Sequence, residues 1–195
     1  MSETKVMKER IPFPFAVAIT VTLLLVGGLF FGKWALTTWI CFITWAEYFA
    51  FGAKPSVGKH MLPGLAFGCF TALVWMANWV LFESLFGTNF SSTFATWLIL
   101  SVTNFVWIAG LVYAIGKIKH ISAYGLAVFN GLTLYLAVYF TYLGGAKNVF
   151  PLVGPLDNPY WVLLWTFIWT LAMEWLGYFA AVFNMWITFP REVEA

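Results

Sequence analysis

The 195-residue chain is 62% hydrophobic, 21% aromatic and only 9% charged, whereas a soluble domain carries about 25% charged residues. Too little charge remains to cover a water-facing surface, which excludes a soluble globular fold and leaves an all-α integral membrane protein. The formal net charge of +2 comes without a basic domain or stripe, so nucleic acid is not an expected partner.

Residues 1–10 form a polar tail, and the apolar run after it shows no small-residue cleavage site. That run is therefore expected to stay as a helix rather than be removed as a signal. A spanning helix needs about 20 mostly apolar residues. Six stretches qualify: residues 11–31, 34–52, 61–82, 93–115, 121–143 and 160–183, the last running on toward Trp186. Turn and charge signals separate them at Gly32-Lys33, Lys54-Pro55-Ser56, Gly87-Thr88-Asn89, residues 117–120 and residues 144–159. The predicted organisation is one six-helix domain, 11–189, between tails at 1–10 and 190–195.

Lysine and arginine set the orientation. With the N-terminus inside, Lys5, Lys8, Arg10, Lys54, Lys59, Lys117, Lys119 and Arg191 fall inside, against Lys33 and Lys147 outside. Both termini are then cytoplasmic. Short matches between Ala46-Glu47-Tyr48-Phe49 and Ala137-Val138-Tyr139-Phe140 suggest an inverted three-plus-three repeat. A competing match joins Lys59-His60 and Gly64-Leu65-Ala66 to Lys119-His120 and Gly125-Leu126-Ala127, pairing the third helix with the fifth.

Of the eight acids, Glu3, Glu9, Glu192 and Glu194 are in the tails, and Glu83 and Asp157 lie near helix ends or in an outer loop. Glu47 and Glu174 are the two placed within spanning helices. A charged carboxylate near a helix centre costs about 2.5–3.5 kcal/mol on insertion scales, so each must face protein or water, or be protonated. On the last helix, Trp161, Trp165 and Trp169 share one face, while Thr166, Thr170, Glu174 and Tyr178 lie roughly opposite. The tryptophan face is expected outward and the polar stripe inward. On the second helix Thr37, Cys41, Thr44 and Tyr48 recur at helical spacing beside Glu47. The other helices offer Thr71 and Asn78, Thr93, Thr96, Thr103 and Asn104, and Asn130, Thr133 and Thr141. Uncharged hydrogen-bonding groups on several helices can line a path for a small polar solute. Taken singly, the threonines and asparagines read better as interhelical glue.

Trp34, Trp161 and Trp186 sit where interfacial anchors belong, and Trp75/Trp79 and Trp165/Trp169 read as packing or protomer contacts. His60 and His120 each stand beside a lysine at a cytoplasmic helix start and read as interfacial residues. Cys41 and Cys69 lie in apolar runs, as small core residues do. No metal-ligand spacing, nucleotide loop or nucleophile motif occurs, so neither a cofactor nor an enzymatic activity is expected.

Residues 39–54, WICFITWAEYFAFGAK, followed by residues 63–80, PGLAFGCFTALVWMANWV, resemble the bacterial inner-membrane family known as domain of unknown function 1097. The shared features are a Trp-Ala helix ending in small residues, a short basic or Gly-rich loop, and a Gly-rich helix ending near Trp; Glu47 falls outside that pattern. The aromatic helix beginning Tyr160-Trp161 is also similar to the urea and short-chain amide channels, though there the pattern is on the fifth helix. The first resemblance implies the bacterial inner membrane; the second implies a passive channel for small neutral solutes. The expected function is a channel or facilitator for a small polar solute, with Glu47, Glu174, Thr44, Asn78, Asn104, Asn130, Thr170 and Tyr178 along the path. Membrane lipids, the solute and further copies of the chain are the expected partners. A structural or accessory subunit of a membrane complex is the rival expectation.

Overall fold

The computed structural model describes residues 5–7, 9–30, 38–86, 94–143, 155, 157–189 and 192–194. The described chain is helical: α1 (Phe13–Phe30), α2 (Thr38–Ala50), a short 3-10 turn (Pro55–Val57), α3 (Gly58–Phe86), α4 (Phe94–Lys117), α5 (Lys119–Ser122), α6 (Gly125–Leu143) and α7 (Pro159–Thr188). Each of the six apolar stretches holds a helix. Three are long and apolar enough to cross a membrane: residues Pro55–Phe86, Phe94–Lys117 and Pro159–Thr188, with mean hydropathies of 1.8, 2.0 and 1.3. Two shorter apolar helices, Phe13–Gly27 and Gly125–Thr141, accompany them. The predicted break at Gly32-Lys33, Lys33 and Trp34 themselves, and most of the predicted outer loops lie outside the described residues.

The chain forms two compact units, Met1–Gly58 with Met173–Ala195, and Lys59–Ala172. In the first, three-residue strands β1 (Lys5–Met7) and β2 (Glu192–Glu194) pair antiparallel, Val6 opposite Val193. The Arg10 amide donates to the Thr188 carbonyl at 2.8 Å, continuing that pairing of the two chain ends. α1 runs antiparallel to the end of α7, where Asn184 Nδ2 donates to Thr20 Oγ1 at 3.3 Å. The ring of Phe13 meets that of Phe49 edge-on, 5.6 Å between centroids.

α2 ends because Gly52 adopts φ +95°, a conformation only glycine takes without strain. The Ala53 amide reaches back to the Tyr48 carbonyl and the Gly52 amide to that of Phe49, both at 3.0 Å. That pair of bonds is the Schellman arrangement, which satisfies the last helix carbonyls. Tyr178 from α7 then donates its hydroxyl to the Pro55 carbonyl at 2.8 Å, holding the turn that follows.

In the second unit α3 and α6 run side by side in the same direction. His60 stacks on Tyr124 at one end, 5.0 Å between centroids, and Trp79 meets Phe140 at the other. Between them the backbones touch. A Cβ on Gly68 would strike the Val128 carbonyl, and one on Gly131 would strike that of Leu65. The Gly64-Leu65-Ala66-Phe67-Gly68 run is a small-xxx-small motif, and close packing of this kind holds membrane helices together where water exclusion cannot. Cys69 Sγ seals the approach by donating to the Gly131 carbonyl at 3.1 Å. The segments brought together are those of the match between the third and fifth predicted helices. Trp75 Nε1 donates to Thr103 Oγ1 of α4 at 3.1 Å, and the Tyr135 hydroxyl to the Leu163 carbonyl of α7 at 3.1 Å.

Candidate functional site

The wheel of α7 determines which side chains it hides. Thr166, Thr170, Glu174, Asn184 and Thr188 are fully buried, with Gly177 and Ala181 on the same side. Leu164, Ile168, Trp175, Phe179, Phe183 and Trp186 are exposed. The polar stripe faces inward as its spacing predicts. The exposed face is centred about 50° from Trp165 at roughly 100° per residue, so Trp161, Trp165 and Trp169 are only half-exposed and Trp175 and Trp186 lie fully on it.

α2 buries Ile40, Cys41, Thr44, Trp45, Glu47 and Tyr48 and exposes Ile43, Ala46 and Ala50. Its buried face meets the later turns of α7. Cys41 Sγ donates to the Met173 carbonyl at 3.3 Å. Gly177 permits the contact, because a Cβ there would strike the Cys41 carbonyl. Tyr48 lies edge-on to Tyr178, 5.8 Å between centroids. Contacts that advance from Cys41 to Tyr48 on α2 and from Met173 to Tyr178 on α7 give the two helices the same direction.

Glu174 is thus bracketed on α7 by residues that touch α2, and Glu47 adjoins Tyr48 on the touching face of α2. Both are at most 3% exposed and both interact within the protein. Among the described residues the buried ionisable groups of charged type are all acids, Glu47, Glu83 and Glu174; no lysine, arginine or histidine is buried.

Seven of the eight buried threonines among the described residues sort by what their hydroxyls do. Those of Thr20, Thr71, Thr103, Thr166 and Thr188 each donate to the carbonyl four residues earlier, at 2.8–2.9 Å. Each hydroxyl proton is satisfied on its own helix, and Thr20 and Thr103 also accept from Asn184 and Trp75. Thr44 and Thr170 differ: both are fully buried, and neither Oγ1 has a hydrogen-bond partner. The Tyr48 hydroxyl and Trp45 Nε1 are buried without a partner as well. Thr44 stands three residues before Glu47, so that acid has an open hydroxyl one turn away on its own helix.

The remaining predicted path residues are placed differently. Thr44, Glu47, Glu174 and Tyr178 belong to the first unit; Asn78, Asn104, Asn130 and Thr170 belong to the second. Asn78 is half-buried and donates to the Val74 carbonyl at 2.9 Å, the glue-type arrangement. Asn130 is half-buried on α6. Asn104 is exposed on α4, so within one chain it lines no interior. Thr133 and Thr141 are exposed too.

Glu83 requires a correction. It lies inside α3, which runs one turn past the predicted end, and is only 2% exposed. The sequence signal was the apolar continuation Leu85-Phe86 beyond it. The Asn184–Thr20 bond was also not anticipated; its spacing on α7 extends the Thr170–Glu174 stripe. Among the described residues no group of three His, Cys, Asp or Glu side chains gathers to hold a metal ion. No protein-family model, curated protein or solved structure matches this chain.

Proposed function

We propose that the chain is a six-span channel or facilitator for a small polar solute, in the bacterial inner membrane with both termini cytoplasmic. The observation that carries this reading is the pair of open hydroxyls, Thr44 Oγ1 and Tyr48, buried on the inward face of α2 beside Glu47, in the same unit as the buried Glu174. A buried polar group left unpaired costs about 1–3 kcal/mol. A scaffold gains by replacing such groups with apolar ones of the same shape, whereas a chain that passes a polar solute needs them free to bond it in transit. Glu47 and Glu174 act as contacts for the solute.

The six-span count draws support from the paired ends. Pairing of the strands at both termini is what two ends on one side of a membrane allow, and it supports an even number of crossings. The sense of each pair agrees: α1 opposite to α7, α2 along α7, and α3 along α6, as six alternating crossings demand. The excess of lysine and arginine on the terminal side makes that side cytoplasmic. The passive mode is the one implied by the similarity to urea and short-chain amide channels.

The test is swelling of proteoliposomes in urea, amides and small polyols, comparing the wild type with Glu174→Gln and Glu47→Gln. Swelling faster than empty liposomes for at least one solute, altered in both variants, is the expected result. Rates equal to empty liposomes for every solute would sink the channel reading. Conduction by the purified chain alone decides against the accessory-subunit reading.

A further inference from the structure

α4 is largely uncovered. Its buried residues, Thr96, Thr103 and Leu111, form a narrow seam, while Phe94, Trp97, Leu98, Val102, Phe105, Val106 and Tyr113 point outward. Lipid suits those side chains. It does not suit Asn104, the eleventh of 24 residues, which places it within about 2 Å of the helix midpoint along the axis. Asn104 is exposed, and its amide makes no side-chain hydrogen bond among the described residues, unlike that of Asn78, which bonds its own helix. Ser101, one turn earlier, is exposed as well. Acyl chains offer neither group a partner.

These two residues do not stand alone. Trp97, Ser101, Asn104 and Ile108 follow one another at intervals of four, three and four, the spacing of the a and d positions in a left-handed helix pair. They occupy an arc of about 60° centred about 100° round the helix from the Thr103 seam, at roughly 100° per residue. The single charged residue of α4, Lys117, is at its end.

We propose that this stripe is an interface between two copies of the chain, α4 against α4, with Asn104 at its centre. A carboxamide carries both donor and acceptor, so across a two-fold axis each Asn104 satisfies its counterpart. A different protein would have to bring its own polar group to the same depth, whereas a second copy does so by symmetry. Trp97 and Ile108 fill the layers on either side, and a buried Asn at one such position sets register, as in coiled coils. The interface is independent of solute conduction.

The test uses the full chain in proteoliposomes at several protein-to-lipid ratios. Single cysteines are placed in turn at positions 97 to 113; the native Cys41 and Cys69 are buried. On oxidation, linked dimers should peak at positions 97, 101, 104 and 108, with minima at 102, 106 and 113. Energy transfer between labelled copies should show self-association weakened roughly fivefold to tenfold in Asn104→Leu, the value of two hydrogen bonds between membrane helices. Val106→Leu should leave it unchanged. Leucine inserts more readily than asparagine, so loss of the fold does not account for that difference. Monomers at every ratio, a cross-linking peak on the Val102–Val106–Tyr113 face, or undiminished association in Asn104→Leu would overturn the proposal.

Discussion

Thr44→Val separates a solute path from packing, because the two give opposite signs. Valine keeps the shape of threonine and removes the hydroxyl. Thr44 Oγ1 is fully buried without a partner, so its removal relieves a penalty of about 1–3 kcal/mol. Membrane proteins sit at the low end of such values, because the unfolded chain in the bilayer also finds partners. The expected gain is about 1 kcal/mol, roughly fivefold in the folding equilibrium. Thr166→Val is the control: that hydroxyl bonds the Val162 carbonyl at 2.8 Å, and its loss should cost about 0.5–1 kcal/mol. Reversible unfolding in mixed detergent micelles measures both. Proteoliposome swelling then reads function: losing one bond of about 1 kcal/mol to the passing solute should slow Thr44→Val roughly fivefold, while Thr166→Val keeps the wild-type rate. If Thr44→Val is as unstable as Thr166→Val, or swells at the wild-type rate, the open hydroxyl is not a solute contact and the reasoning fails.

Further outcomes follow from backbone contacts and topology. Gly177→Val should drive a side chain into the Cys41 backbone and destabilise the α2–α7 pair by about 1–3 kcal/mol, seen as a lower unfolding midpoint and faster maleimide labelling of Cys41. Gly131→Val should do the same to α3–α6 and unmask Cys69 instead. Gly52→Ala should cost about 1 kcal/mol through the strained φ of +95°, without changing helical content by circular dichroism. In whole cells, single cysteines at positions 54 and 117 should resist an impermeant thiol reagent while one at position 147 reacts; the reverse pattern would invert the orientation.

The helices were legible because apolar runs of spanning length leave a chain in lipid little choice but to bond its own backbone. The inward stripe of α7 was legible because Thr166, Thr170 and Glu174 repeat over enough turns to define a face. Thr103 and Asn104 show where legibility stops. They are neighbours about 100° apart on the wheel, and nothing in their types says which one α3 covers; Trp75 chose Thr103. Glu83 was misplaced for a smaller reason, a helix end set one turn early, and one turn suffices to carry an acid from a loop into a packed face.

Composition and period were therefore enough for the membrane class, the helix positions and the buried side of α7, since each depends on local spacing against a fixed solvent. The proposed orientation draws on the same kind of evidence, the placement of lysine and arginine. Tertiary structure alone decided that Gly177 admits Cys41, that Gly68 and Gly131 let α3 and α6 touch, and which threonine hydroxyls close on their own helix. Those outcomes depend on which partner lies across from a residue. Partners here are separated by long stretches of chain, and a helix face carries no record of its neighbour until the two are packed.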